Sequence, residues 1–219
     1  MKKYLEILKK CELFSGIEEE NLSRMLTCLG ARVEKFDKKY TVFKEGTVPK
    51  YIGIVLSGAV QSMRIDYAGN RSILSVSLPC ELICEEFACA KTKTLPISVQ
   101  AYEECEIMLI DASHILNTCE NNCGFHRMLI YNLMKAIAKK TVLFHERIEI
   151  TSKRTTREKL LAYLDIEAEK TGALTVDIPF DRQELADFLE VDRSGLSAEI
   201  GKLVKEGVIK NTKRHFELL

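Results

Sequence analysis

The sequence predicts an α+β protein in which a small antiparallel β structure is followed by a long helix and a C-terminal pair of short helices. The first observation is a series of short β runs, broken by glycine, from about Ala31 to Asp111. The second is the stretch from Phe125 to Ile150, which contains neither Gly nor Pro and is typical of one long helix. The third is residues 181–206, whose apolar spacing predicts two short helices joined by a tight turn.

The N-terminal part contributes helices first and strands afterwards. Residues 3–14 and 19–29 are predicted as short amphipathic helices. Runs such as Arg32–Phe36 and Val60–Ile65 then alternate between apolar and polar residues, as half-buried strands do. Many short strands at regular turns predict a small antiparallel sandwich or roll.

The middle of the long helix predicts a second copy of the chain. Residues 129–138 are apolar around more than one face, which is too much for a helix that packs only against its own domain. A twin helix related by a two-fold axis is the predicted cover, so we expect a homodimer. Helical spacing selects the predicted dimer-interface residues, which are Ile130, Leu133, Ile137 and Phe144.

Capping residues mark the helix starts of the C-terminal module. Thr155 with Glu158, and Asp181 with Glu184, have the spacing of capping boxes, in which side chain and backbone N–H groups satisfy each other. Asp192 is predicted to cap the following helix. A short hairpin with a basic tip comes after that helix, and this order predicts a helix-turn-helix with a wing.

The outward face of the last helix carries the residue types that bind DNA. Arg and Ser in its first turns are placed to reach base edges in a major groove, while Lys near its end meets phosphate. Arg193, Ser194 and Ser197 are the predicted base readers. The full set of predicted DNA-binding residues is Arg182, Arg193, Ser194, Ser197, Lys202, Lys205, Lys213 and Arg214.

Four strings in the sequence resemble a known family. Residues 182–186 read RQELA, residues 191–197 read VDRSGLS, residues 206–209 read EGVI and residues 51–58 read YIGIVLSG. They are similar, in order and spacing, to the winged helix-turn-helix and the β-roll of the cyclic-AMP receptor protein and fumarate-nitrate regulator (CRP/FNR) family of bacterial transcription factors. One departure is Glu190, which stands where relatives commonly have Gly and is expected to adopt a left-handed backbone.

The resemblance implies three regions. It implies an N-terminal double-stranded β-roll, of the cyclic-nucleotide-binding type, over residues 1–112 with the N-terminal helices. A dimerisation helix is expected over residues 113–150. The winged helix-turn-helix is expected over residues 151–219, and residues 148–156 are the predicted hinge.

The resemblance also implies a function and partners. It implies a sequence-specific transcription regulator that binds a double-stranded DNA operator and responds to a small-molecule or redox effector in the β-roll. RNA polymerase is a candidate partner. We expect no enzyme, since no P-loop, nucleophile elbow, dinucleotide-binding or zinc-protease motif is found.

The charge balance works against a DNA partner. The 32 Lys and Arg residues are matched by 32 Asp and Glu residues, whereas DNA-binding domains are usually basic. Clustering of cations in the C-terminal module answers this objection. A β-roll protein whose C-terminal module binds protein and not DNA therefore stays as an alternative.

The residues that hold cyclic AMP in nucleotide-binding members of the family are only partly matched. Those members place a Gly-Glu pair on the ribose and an Arg-Ser pair on the phosphate. Here Cys80-Glu81 and Leu95-Pro96 occupy these places and, with Leu82, form the predicted effector pocket. A buried phosphate without its guanidinium or hydroxyl is an unpaired charge. We therefore expect no cyclic AMP in the usual manner, and the effector stays unknown.

The cysteines offer a different sensor. Cys80, Cys84 and Cys89 follow the spacing C-x3-C-x4-C, and thiolates grouped there would bind zinc or an iron–sulfur cluster, or form a switching disulfide. Cys119 and Cys123 form a second candidate pair. A thiol- or metal-based redox sensor on the same scaffold is thus a further alternative. The simpler interpretation is buried free thiols, so no metal is assigned.

The chain is expected to be cytoplasmic. No apolar run reaches the ~18 residues that a membrane span needs. The N-terminus is charged throughout, unlike a secretory signal. We therefore expect no membrane partner.

Overall fold

The structure is a computed structural model that describes residues 2–117 and 124–219. Contact clustering divides these residues into two compact units. One contains the chain up to Gly69 and Leu74–Lys140, and the other contains Asn70–Ile73 and Thr141–Leu219. Cys119 and Cys123, predicted as a thiol pair, lie outside the described residues.

The first unit holds the short helices and the strands that the sequence predicts. Two short 3-10 helices, Lys2–Tyr4 and Glu12–Phe14, flank the first α-helix. The α-helices are α1 (Leu5–Leu8), α2 (Glu19–Cys28), α3 (Glu85–Ala90) and α4 (Ala112–Leu116). The strands are β1 (Arg32–Phe36), β2 (Thr41–Phe43), β3 (Tyr51–Ser57), β4 (Val60–Ile65), β5 (Arg71–Ser77), β6 (Leu82–Ile83), β7 (Ser98–Ala101) and β8 (Cys105–Asp111).

The strands form two four-stranded sheets, in the orders β1-β8-β3-β6 and β2-β7-β4-β5. Neighbouring strands such as β1 and β8, β3 and β8, and β4 and β7 are antiparallel; in the first sheet, for example, Arg32 lies opposite Leu109. Alternate side chains point inward, and Val55, Val99 and Ile107 are fully buried. This confirms the predicted β-roll. Gly58 turns β3 into β4 at φ +71°, where an added Cβ would lie 2.2 Å from the carbonyl oxygen of Glu104.

The long helix α5 (Gly124–Thr151) extends the predicted helix by one residue at each end. Its inner face packs against the N-terminal helices and the roll through Leu129 and Leu133, and Leu133 is only 2% exposed. Leu133 therefore contributes to the core of its own chain and is not available to a partner, contrary to the predicted interface. The residue was selected by spacing alone, and spacing does not distinguish the inner face from the outer face. Ile130, Ile137 and Phe144 are half-buried.

Several large apolar side chains of α5 are exposed. Tyr131, Met134, Val142, Leu143 and Ile148 each expose more than half of their surface. These five residues are called the exposed α5 stripe below. A run of apolar surface on one helix marks an interaction site more often than chance exposure does.

The second unit contains the C-terminal module. It consists of α6 (Thr156–Thr171), β9 (Thr175–Asp177), α7 (Arg182–Leu189), α8 (Arg193–Lys205), β10 (Ile209–Thr212) and β11 (His215–Leu218). The three strands form one antiparallel sheet in the order β10-β11-β9. Both predicted capping boxes are confirmed, at Thr155 with Glu158 and at Asp181 with Glu184.

An aromatic cluster joins the helices of this unit. The ring of Phe180 stacks on that of Phe188 at 4.8 Å, and Tyr163 meets Phe188 at 5.2 Å. Burial of such rings contributes more than their area alone, because edge and face charges attract. None of the helices in the described part of the chain is both long enough and apolar enough to cross a membrane.

Candidate nucleic-acid interface and effector region

The turn between α7 and α8 fixes the direction of α8. Glu190 ends α7 with φ 55° and ψ 55°, so the expected left-handed backbone is confirmed. Such a conformation is unfavourable by about 1–2 kcal/mol for a residue with a Cβ. Asp192 then caps α8 by accepting a hydrogen bond from the Gly195 N–H at 2.7 Å. The backbone on both sides of the turn is thus held by specific contacts.

Helix α8 separates its apolar and polar residues onto two faces. Leu196, Ile200 and Leu203 are buried and anchor the helix to its unit. The predicted DNA-binding residues on this helix all lie on the solvent face; they are Arg193, Ser194, Ser197, Lys202 and Lys205. The hydroxyl of Ser194 donates to the Asp192 carboxylate, which leaves its oxygen free to accept.

Arg182 begins α7 and Arg193 begins α8. The pKa of Arg182 is lowered by burial and then by the positive charge of Arg193. Arg182 donates a hydrogen bond to the side-chain oxygen of Asn211 in the wing at 2.8 Å, and its guanidinium lies 5.9 Å from the Phe216 ring. Among the described residues Arg193 has neither a hydrogen bond nor an ion pair. This leaves positive charge uncompensated where a base edge or phosphate would be met.

The remaining cations of this surface differ in how far they are neutralised. Lys202 pairs with Glu199 at 3.2 Å, and Arg214 lies 3.9 Å from Glu184. Lys205 and Lys213 make no ion pair within the described ranges. Lys213 occupies the tip of the wing with φ 56°.

Two acidic residues in the last turns and at the end of α8 form ion pairs. Glu199 and Glu206 both pair with Arg157, at 3.6 and 2.6 Å. Lys202 also pairs with Glu199, so two cations balance these two carboxylates. The neutral total charge of the chain therefore does not extend to the outer face of α8.

The predicted effector pocket does not form a single cavity-lining surface. Leu95 is 1% exposed and belongs to the apolar interior of the roll, whereas Leu82 packs on the other side with the helices. Pro96 is exposed, and Glu81 is exposed with its carboxylate accepting from the Leu78 N–H at 2.9 Å. Leu95 thus fills the place where the family's phosphate-binding arginine is expected.

The cysteine triplet is also divided. Cys84 lies in the roll interior, and Cys80 and Cys89 lie against the helical core. Burial raises the pKa of Cys84 to about 12 and that of Cys89 to about 11. In the described part of the chain no three His, Cys, Asp or Glu residues are grouped to hold a metal. Cys80 instead neighbours Cys11, a residue that the spacing argument left aside.

Cys80 adopts a left-handed backbone. Its φ is 77°, in the region that glycine favours. This agrees with the expectation from the resemblance that Cys80 occupies a glycine position. The strain is about 1–2 kcal/mol, as for Glu190.

A buried ion cluster was not anticipated from the sequence. Lys140 on α5 meets Glu85 and Glu86 on α3, each at 3.0 Å, and the Glu85 side chain is only 2% exposed. Burial raises the pKa of Glu85 and Lys140 opposes this. For Lys140, burial lowers the pKa, but the two carboxylates outweigh burial and the net shift is upward. The only sequence signal was a pair of acids in the first turn of a predicted helix.

The fold and the cationic face of α8 together define a helix-turn-helix transcription regulator with a cyclic-nucleotide-binding type roll. Family models agree, since the cyclic nucleotide-binding domain matches residues 33–122 and the Crp-like helix-turn-helix domain matches residues 158–219. The transcriptional activator protein FnrL of Cereibacter sphaeroides is 33% identical over 191 residues, covering 80% of this chain and 71% of that protein. The chain therefore belongs to the CRP/FNR family of transcription regulators.

Solved structures show the same fold at low identity. CLP of Xanthomonas campestris is 14% identical with a TM-score of 0.73, covering 92% of this chain and 99% of that chain. A CooA mutant from Carboxydothermus hydrogenoformans is 18% identical with a TM-score of 0.71, covering 88% and 85%. FixK2 from Bradyrhizobium japonicum is 18% identical with a TM-score of 0.66, covering 86% and 92%.

Proposed function

We propose that this chain is a homodimeric, sequence-specific DNA-binding regulator that reads its operator with the first turns of α8. The observation that carries the proposal is the exposed Arg193 in the first turn of α8, which has neither a hydrogen bond nor an ion pair among the described residues. A guanidinium without an anionic partner is available to a base acceptor or a phosphate. Arg193 is the base reader, because a guanidinium forms two hydrogen bonds with guanine.

The other cations act on phosphate. Lys205 and Lys213 are exposed and make no ion pair among the described residues, so each is available to phosphate. Lys202 and Arg214 exchange an acid partner for a phosphate. Arg182 braces the wing through Asn211 and adds positive charge. Ser194 and Ser197 present hydroxyls to bases or phosphate.

The exposed α5 stripe is the proposed dimer face, and its occupant is a second copy of this chain. The proposed face does not include the predicted interface residue Leu133, because that side chain is buried in its own chain. The other predicted residues, Ile130, Ile137 and Phe144, are half-buried and are proposed to contribute to the edge of the interface. Members of this family are typically dimeric, and a two-fold pair of α8 helices enters major grooves about one turn of duplex apart.

The effector is proposed to be something other than cyclic AMP in the usual mode. Leu95 belongs to the packed interior, so it offers no charge to a phosphate. Its neighbour Pro96 offers no hydroxyl. CLP is described as c-di-GMP responsive, and the same objection applies to any phosphate buried at Leu95. Titration calorimetry with cyclic AMP should therefore show no heat of binding; saturable tight binding would contradict this part of the proposal.

Selection from a random duplex library tests the DNA function. The wild-type protein should enrich a motif with two half-sites, and Arg193→Ala should relax the preference at one base pair in each half-site by about 1–3 kcal/mol. Lys205→Ala is the matched control. It should weaken all sequences about equally and lower the slope of log affinity against log salt by about one unit. A wild-type library that stays random would favour the alternative in which the C-terminal module binds protein.

A further inference from the structure

The structure brings together two thiols that are far apart in the sequence. The Sγ atoms of Cys11 and Cys80 both donate to the carbonyl oxygen of Ile7, at 3.3 and 3.5 Å. The two thiols therefore share one hydrogen-bond acceptor. Cys11 is 1% exposed, whereas Cys80 is half-buried. One thiol is therefore sheltered and the other is within reach of a small molecule.

Each cysteine lies at a structurally sensitive point. Cys80 is the left-handed residue that precedes β6 and α3, and its N–H donates to the Val55 carbonyl at 2.9 Å. Cys11 immediately precedes the 3-10 helix Glu12–Phe14. A covalent bond between them would join the N-terminal segment to the segment that leads into α3.

The N-terminal segment is in turn fastened to α5. The side-chain amide of Asn132 donates to the carbonyl oxygens of Leu13 and Ser15, at 3.0 and 2.9 Å. One heptad further along, Lys139 pairs with Glu12. A displacement of residues 11–15 is therefore transmitted to the helix that carries the exposed α5 stripe.

We propose that Cys11 and Cys80 are a modification site that peroxide converts into a disulfide, and that this bond changes DNA affinity. The second half of the proposal rests on the proposed function. In the first step Cys80 attacks hydrogen peroxide, becomes a sulfenic acid and releases water. In the second step Cys11 attacks that sulfur, the S–S bond forms and a second water leaves. Peroxide is reduced and the two thiols lose two electrons and two protons.

The surroundings distinguish this pair from Cys84, Cys105 and Cys89. Cys84 and Cys105 lie in the roll interior, away from the helical core. Cys89 borders the same core as Cys80, but the two shared hydrogen bonds to Ile7 belong to Cys11 and Cys80. Burial and the neighbouring Cys80 raise the pKa of Cys11, so its thiol stays protonated near neutral pH. The thiolate is the attacking species, so the second step should quicken as pH rises.

Mass spectrometry of the full chain tests the modification directly. The reduced protein is treated with hydrogen peroxide, alkylated, and digested without reductant. We expect one major linked peptide pair that joins Cys11 to Cys80, formed faster at higher pH. Cys11→Ala and Cys80→Ala should both abolish it, and Cys89→Ala, the matched control, should retain it. A link between other cysteines, or a sulfenic acid on Cys80 that persists equally in wild type and Cys11→Ala, would overturn the proposal.

Fluorescence anisotropy with the selected duplex tests the consequence. Wild type and Cys89→Ala should change affinity at least about fivefold on oxidation, the lower end of typical coupling between sites, and reductant should reverse the change. Cys11→Ala should not respond. Equal affinity before and after complete oxidation would refute the regulatory role. Failure of the reduced protein to select any DNA would instead count against the proposed function, because the mass measurement needs no DNA.

Discussion

Two groups of cations in this molecule are treated in opposite ways. On α5, Lys140 is largely buried and meets the carboxylates of Glu85 and Glu86 on α3. At the start of α8, Arg193 is exposed and has no ion pair in the part of the chain that the structure describes. A cation that is paired with carboxylates of its own chain stabilises the fold. A cation without such a partner is available to an external anion.

The β-roll and the C-terminal module also differ in whether they offer a site for an anionic ligand. The interior of the roll is closed by apolar side chains, with Leu95 in the predicted phosphate position. Lys140, the buried cation described above, is held by acids of the same chain. Under the proposed function, DNA supplies the anion that binds the unpaired cations of α8. In the roll, the predicted phosphate position is filled by Leu95, so no phosphate can bind there.

The largest expected effect comes from removing the buried cation. Lys140→Met should lower the free energy of unfolding by about 3–5 kcal/mol, because it leaves the buried carboxylate of Glu85 without its partner. Lys139→Met is the matched control. That neighbour pairs with Glu12, and both side chains are more than half exposed, so its loss should have an effect of about 1 kcal/mol or less. Urea denaturation at neutral pH measures both; equal effects would show that Lys140 is not structurally special.

The loss of stability in Lys140→Met should depend on pH. Burial raises the pKa of Glu85 and Lys140 counteracts this shift, so removing Lys140 should raise that pKa further. A carboxyl group whose pKa is raised on folding gains stability as pH falls through that pKa. The deficit of Lys140→Met should therefore shrink as pH is lowered from neutral through the raised Glu85 pKa. A deficit that is constant or grows on acidification would contradict the assignment to Glu85.

The next largest loss of stability is expected from a substitution in the packed interior of the roll. Leu95→Ala should lower the free energy of unfolding by about 2–5 kcal/mol, because a fully buried side chain is removed from the packed core. Pro96→Ala, at the exposed neighbouring position, should change it by about 1 kcal/mol or less. Thermal and urea unfolding of the two variants measure the contrast. Similar stabilities would mean that Leu95 does not close the interior as the structure indicates.

Some features of the structure could be predicted from the sequence and others could not, and the difference has a physical reason. Capping boxes and β alternation were predictable because they depend on residues close together in the chain, whereas the left-handed Glu190 was expected from the resemblance to relatives with Gly at that turn. The Cys11–Cys80 and Lys140–Glu85 contacts join distant residues, and no local spacing encodes them. Leu133 was assigned to the wrong face of α5 for a related reason, since the helix is apolar on two sides and only the packing distinguishes them.

The smallest expected effect concerns a cation intermediate between the two groups. Arg147 is largely buried, lies 4.5 Å from the Phe188 ring and pairs with Glu190 at 3.5 Å. Glu190→Ala and Glu190→Gly both remove that carboxylate, but only Gly accepts the left-handed backbone without strain. Glu190→Gly should therefore be more stable than Glu190→Ala by about 1–2 kcal/mol. Because the loss of the ion pair cancels in this difference, equal unfolding free energies in urea would mean that the left-handed backbone at position 190 carries no strain.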